Sequence, residues 1–454
     1  TIDTNNSHDL SFINMASGVT TEFSNVFIKG DFQHSGTKSV LIDRNNDTNI
    51  TIPDLLIKSG DTLTLSSNIT LPSNLTVQNG GILSVNGKTI DKESYATGNI
   101  TINTGSSSVQ STTFDSCGLI KLTSLDTNSV MSSLTLNNCT GMQVEGGSVD
   151  ISTMIIKNAS SQFLVIDSSH SGTISDFTID TNNSHDLSFI NMASGVTTEF
   201  SNVFIKGDFQ HSGTKSVLID RNNDTNITIP DLLIKSGDTL TLSSNITLPS
   251  NLTVQSGGIL IVNGKTIDKE SYASGNITIN TGTSSLQSTT FNICGLLKLV
   301  SLDSNATMSS LTLNTCTGME IDGGSVDVST LTIKDASDQF LVTKNSHSGE
   351  ISNLTIDMTV DHDLSFINMA SGVSTTFNNV FIKGEFKYAI AKNVLINRNN
   401  DTNITIPDLL ISDTLTVSND ITLPSNLIIQ NDGSLVSDGL TFSKESYSTG
   451  NITI

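Results

Sequence analysis

The sequence predicts an all-β fold: a single-stranded parallel β-helix, or β-solenoid, with about 22 residues per coil, three short strands per coil and about 20 coils. Three observations predict it. Residues 1–78 recur unchanged at 178–255. Three-residue cores with apolar first and third residues recur at similar intervals, starting at Leu134, Met154, Phe177, Val203 and Leu232. Small or polar residues follow each core, and no helical periodicity of useful length interrupts the pattern.

The long repeat comes first. A third copy begins at Thr355, and His8, His185 and His362 mark the same phase. That copy diverges at Lys387-Tyr388-Ala389-Ile390, loses two residues near Ser412, and ends at Asn451-Ile452-Thr453-Ile454, which matches 99–102. The expected organisation is one continuous solenoid over 1–454, with units 1–177 and 178–354 and a partial unit 355–454. Both ends fall inside a unit and no initiator Met or signal peptide is seen, so a segment of a longer parent chain is expected.

The cores come next: Leu134-Thr135-Leu136, Met154-Ile155-Ile156, Phe177-Thr178-Ile179, Val203-Phe204-Ile205, Leu232-Leu233-Ile234, Leu252-Thr253-Val254 and Ile277-Thr278-Ile279. Period-2 alternation gives a short strand with one face buried. Asn138, Asn158 and Gly207 stand two residues after their cores, where such residues accept tight turns. Second and third strands follow, as in Met142-Gln143-Val144 and Ser148-Val149-Asp150-Ile151. Pro53 and Pro72 sit just before cores, where a strand starts without needing to donate. Eight coils per unit give 177/8, about 22 residues each. At roughly 4.8 Å per coil a unit would rise roughly 38 Å and the chain would form a rod of roughly 100 Å.

Composition narrows the partners. With 22 Lys+Arg against 44 Asp+Glu the formal charge is −22, so nucleic acid and anionic membranes are repelled. No apolar run approaches 18 residues, so no membrane insertion is expected in this segment. Asn numbers 46 and Ser plus Thr 125, while charged residues are only 15% and Trp is absent. A disordered acidic chain would carry more charge and fewer Val, Ile and Leu.

On these coils the sequence resembles the right-handed parallel β-helix group, the pectate-lyase-like fold. More closely it is similar to the Ser/Thr/Asn-rich repeats of surface adhesins and extracellular fibres. The resemblance covers the whole chain and supplies the hand. It implies an extracellular or cell-surface location. It also requires an enzyme to be weighed, because the group includes polysaccharide lyases and hydrolases that use clustered Asp with Arg or Lys in a groove. Here each acidic cluster is copied with its surroundings and bases are scarce, so no enzyme is expected. The seven His read as solvated turn residues.

Four sets of residues stand out. Asp43, Asn45, Asp47, Asn49 and Asp54, with Asp220, Asn222, Asp224, Asn226 and Asp231, place oxygens at alternate loop positions, similar to the calcium loop of EF-hands and dockerins. The loop lacks the turn-making Gly and has Asn397 for the first Asp in the third copy, so a polar loop is the competing reading and no other cofactor is expected. Cys117 with Cys139, and Cys294 with Cys316, lie one coil apart. Stacked neighbours would form either a disulfide or a ladder of small buried thiols. The outward Phe27/Leu56, Phe204/Leu233 and Phe381/Leu410 pairs make either a lateral contact patch or a surface covered by the insertion around Phe209. Asn46, Asn68, Asn138, Asn223 and Asn245 are among the Asn-x-Ser/Thr glycosylation acceptors.

The expected role is a structural repeat segment of a long filament, stalk or surface appendage. It would act by length and by lateral or head-to-tail assembly with itself or other fibre components. An adhesin binding a glycan or cell-surface receptor would need exposed aromatics, and the chain has four Tyr and no Trp. An ice-binding surface would need paired outward Thr columns, which Phe204, Leu233 and Ile155 interrupt.

Overall fold

The computed structural model describes all residues other than 6, 9–11, 35–40, 46, 168–169, 183, 186–187, 212–217, 223, 360–364, 387–394, 399–400 and 447. Among the described residues every regular element is a strand and none is a helix. The fold is an all-β parallel solenoid of about 18 turns, with about 22 residues between stacked strands. The described residues form two compact units, 1–206 with 211–230, and 207–210 with 231–454.

In the first unit the chain visits three faces in turn. On face 1, Leu55 lies under Leu75, which lies under Ile100, Ile120, Met142, Leu164, Ile190 and finally Ile219. On face 2, Leu63 lies under Leu83, and Val85 under Val109 and Met131. On face 3, Ile69, Ile90, Phe114, Leu136, Ile156 and Ile179 form one stack. The second unit repeats this. Its face 1 runs from Leu232 to Ile396, and its face 3 runs from Ile246 through Ile356 to Leu409 and Leu427.

The period-2 cores explain these ladders. In Leu75–Val77 and Ile100–Ile102 the outer residues are buried and the middle Thr is half-buried. Each turn alone would leave its aliphatic side chains wet; the turns above and below remove them from water, at about 1.5–3 kcal/mol per fully buried side chain. Corners need backbone that an ordinary residue resists. Ser116, Asn138 and Asn158 take φ of 53°, 53° and 50°, the left-handed region that Asn enters most cheaply among residues with a Cβ.

Two expectations are corrected. A repeat does not hold eight whole coils. From Leu232 the chain returns to face 1 seven times, ending at Ile396, and then reaches Leu409 on face 3. Leu409 is the counterpart of Leu232 one repeat later, so a repeat makes seven and two-thirds turns of about 23 residues each. Nor are all the His solvated: His170 and His347 are fully buried.

The physical cause of the fractional count is a glycine corner. Strand Val26–His34 runs along face 1 and then bends at Gly30, which takes φ of 91° beside Thr4. A Cβ there would stand 2.1 Å from the Thr4 carbonyl oxygen. Past the corner, Gly30, Asp31 and Phe32 lie under Leu63, Thr64 and Leu65 and so found face 2 of the new repeat. Gly384 does the same in the second unit, with φ of 90° beside Met358. Phe209, which one of the two readings of the apolar patch placed on a covering insertion, is an interior residue, 2% exposed and paired with Leu242.

Candidate functional site: the loop at the repeat boundary

Where a face-1 ladder ends, the chain enters the loop that carries the candidate calcium residues. The loop is organised by an arginine that the sequence reading passed over. Arg44 is 6% exposed. Its Nη1 donates to the Ile50 carbonyl, and its Nη2 to the Pro72 carbonyl at 2.8 Å and to Glu93 Oε2 at 3.1 Å. The guanidinium carbon lies 4.3 Å from the centre of the Tyr95 ring. Glu93 is nearly as buried, at 10% side-chain exposure. In the third copy Arg398 bonds Ile404, Pro424 and Glu445 in the same way. Arg221 donates to Ile227 at 2.5 Å. The signal was the Asp-Arg-Asn sequence itself, with Glu93 49 residues on and Glu445 47 residues on, the two-residue deletion falling between.

The oxygen side chains of the loop go to separate partners. Asp43 accepts from the Asn45 amide at 2.8 Å, and Asn45 Nδ2 donates to Met15 O at 2.7 Å. Asp47 accepts from the Gly18 amide at 2.8 Å, from Ser17 Oγ at 3.2 Å and from the Asn49 amide at 3.0 Å. Asp54 points to the next turn and accepts from Asn74 at 3.0 Å. In the second copy Asp220 accepts from Asn222, Asp224 from Gly195 and Asn226, and Asp231 from Asn251. Among the described residues no three His, Cys, Asp or Glu converge as a metal-binding group. The Gly18 and Asn49 amides hold the Asp47 carboxyl below its usual range, and Gly195 and Asn226 do the same for Asp224, Gly372 and Asn403 for Asp401.

Beside this loop lies an open groove. Residues 18–23 form one wall and Asp47, Asn49, Ile50, Thr51 and Pro53 the other, enclosing about 650 Å³. The second copy makes the same groove, about 590 Å³, from 195–200 and Asp224, Asn226, Ile227, Thr228 and Pro230. Thr198 in its wall rests on His170, whose Nδ1 lies 2.7 Å from Thr198 Oγ1 and whose Nε2 lies 3.1 Å from Val149 O. His347 makes the same contacts with Thr375 and Val326. Burial pushes both imidazoles below their usual pKa.

The cysteines stack in pairs. Cys117 and Cys139 are 2% and 1% exposed, two residues past the paired Asp115 and Asn137. All four are free thiols in this structure. Each thiol of the first pair has a backbone acceptor: Cys117 donates to Ile90 O at 3.1 Å and Cys139 to Phe114 O at 3.2 Å. The hydrogen bond with Cys139, followed by burial, pushes the Cys117 thiol far up; Cys294 beside Cys316 behaves alike.

On the outer surface Phe27 lies under Leu56 and Phe381 under Leu410, all four half-buried. Lys58 Nζ sits 3.7 Å over the Phe27 ring. Phe204 is 7% exposed and Leu233 half-buried. Asn68, Asn138 and Asn245 are exposed, while Asn46 and Asn223 lie outside the described residues. A charged ladder in the second unit joins Lys298 to Glu320 at 3.0 Å and to Asp322 at 3.3 Å, with Lys344 on Glu320 at 3.0 Å. Burial alone would raise the Asp322 carboxyl, but bonds from Asn345 and Lys298 bring it below its usual range. In the first copy Gln143 stands in the place of Glu320.

No family model, curated protein or solved structure matches this chain.

Proposed function

We propose that the chain is a structural repeat segment of a long extracellular filament, stalk or surface appendage, of the adhesin and fibre type within the pectate-lyase-like solenoids. It works by length and by lateral or head-to-tail association with itself or with other fibre components. The observation that carries this reading is that near-identical long copies each add seven and two-thirds stacked turns through the same ladders, so length scales with copy number. Exposed Asn68, Asn138 and Asn245 are compatible with glycosylation outside the cell.

The reading assigns no turnover. Among the described residues the carboxyl groups with a displaced pKa, Asp47, Asp224, Asp322 and Asp401, all have it lowered, opposite to what a general acid for glycoside cleavage requires. It assigns no essential metal, because the loop carboxylates Asp43, Asp47 and Asp54 already accept protein donors. An adhesin is the second reading, and the groove recurring in copies one and two favours it. A glycan array separates the two: saturable binding that Thr20→Arg/Thr197→Arg reduces supports the adhesin. Electron microscopy of native material tests the first. Thin filaments with an axial rise near 37 Å per repeat, from seven and two-thirds turns at about 4.8 Å, are expected. Compact particles would end the reading.

A further inference from the structure

We infer that the long repeat is an indexing device: each copy presents its groove on another face of the solenoid, one-third of a turn from the copy before. In the second unit Leu232 begins the face-1 ladder, whereas Leu409, the same position one repeat later, stands on the face-3 ladder above Val380. Whole-turn repeats would have placed Leu409 above Ile396. In the first unit the same step is seen between Ile2 and Ile179. Ile2 lies under Ile28, in the strand that leads to Leu55 on face 1; Ile179 lies on Ile156 on face 3.

The grooves follow the ladders. The second groove flanks the end of face 1, where Ile219 covers Ile190. The first groove flanks the short ladder of Ile13 and Ile42. That ladder shares its turns with Ile2–Thr4, on face 1, and with Val26–His34, which covers face 1 and then turns onto face 2, so it lies off face 1. Identical grooves therefore look out in different directions. After three copies, twenty-three turns complete a whole number and the first direction returns. A partner that recognises one repeat-encoded surface would meet it on all three sides of a longer array, not along a single stripe. This deepens the filament reading and rests on it for its use, although the geometry can fail separately.

The test labels both grooves of the full chain. Thr20 and Thr197 are equivalent and exposed. The Thr20→Cys/Thr197→Cys double variant is biotinylated through maleimide and bound to streptavidin, and single-particle images are averaged. The native thiols are buried, and the unsubstituted chain should gain no mass from the reagent. Two densities projecting about 120° apart around the axis are expected; two densities on one side overturn the inference while leaving filament formation untouched. A second measurement avoids labels. Oxidation should join the Phe381→Cys/Leu410→Cys pair as readily as the within-repeat control Thr355→Cys/Phe381→Cys, and should leave Asn397→Cys/Leu410→Cys reduced. A joined 397/410 pair, or a control that joins while 381/410 does not, overturns it.

Discussion

Replacing Arg44 with Met should open the boundary loop. Arg44 and Glu93 are 6% and 10% exposed, and truncating one partner leaves the other charge buried without its counter-ion. Breaking such a pair costs about 3–5 kcal/mol. The buried Ile50 and Pro72 carbonyls also lose a donor, which adds to the pair term in the single and the double variant alike. At about 1.4 kcal/mol per decade the loss corresponds to about 10²–10⁴ in the local opening equilibrium. Hydrogen exchange is the suitable assay, because a solenoid unfolds by neighbours and a global melt would dilute a local defect. The amides of Asp47 and Ile50, bonded to Arg44 O and Asp47 O, should exchange faster by that factor, while Ile120 and Met142 amides keep their rate. The Arg44→Met/Glu93→Leu double variant should recover most of the protection, since replacing a whole buried pair by apolar groups is close to neutral. A single variant that exchanges like the parent, or a double variant no better than the single, would refute the idea that the pair holds the loop.

Three further outcomes are expected. His170 and His347 have folded pKa values depressed by burial, so the unfolded chain binds their protons first; their contribution is complete above about pH 6.5 and is lost as pH falls from there towards the folded values, by up to about 1.4 kcal/mol per pH unit for each. Melts at pH 7.5 and 5.5 should differ, and His170→Gln/His347→Gln should flatten the difference; an unchanged slope argues against buried neutral imidazoles. Thiol titration should find no reactive group in the native chain and four after unfolding without reductant, whereas none after unfolding would show that the stacked pairs are cystines. Gly384→Ala should destabilise the second unit by roughly 1–3 kcal/mol, because φ of 90° strains any Cβ and Met358 O lies 2.1 Å from where it would sit; a neutral melt would remove the corner from the account of the fractional turn.

What the sequence reveals and conceals follows from the range of the interactions. The period-2 cores are local, and Leu134–Leu136, Met154–Ile156 and Phe177–Ile179 do lie in one ladder of the first unit. The 25-residue gap before Ile277, longer than the 20 residues from Leu232 to Leu252, is a single step from Leu252. Turn residues are legible too, since Asn138 and Asn158 need only their own backbone. The loop was misweighted because the oxygen pattern is visible within one short stretch, while the partner of Arg44 lies 49 residues on and one full turn beyond the Pro72 carbonyl that Arg44 also binds. His170 and His347 were hidden likewise: their burial depends on Thr198 and Thr375, 28 residues away. Dividing 177 by eight concealed the fractional turn, because a spacing average carries no face label.

The fractional turn also constrains the interior. A ladder that is face 3 in one repeat becomes face 1 in the next only if both positions accept the same side chains. In the second unit the stack Leu331, Leu354 and Val380 passes without a break to Leu409, the counterpart of Leu232, which belongs to face 1. Volume-conserving aliphatics make this exchange cheap. The aromatic residues mark where it is not needed: Phe163 against Phe189, and Phe340 against Phe366, stack edge to face at 4.9 and 5.0 Å beside face 1 near the boundary. There the turn from Leu164 to Ile190 is longer than those before it, and the turn from Ile190 to Ile219 is longer again. Leu341, Ile367 and Ile396 repeat that lengthening in the second unit. In the second unit the section must widen there to admit the strand that Gly384 starts. Large rings fill the wider section, and uniform aliphatic ladders on either side let each copy take up the face its predecessor leaves.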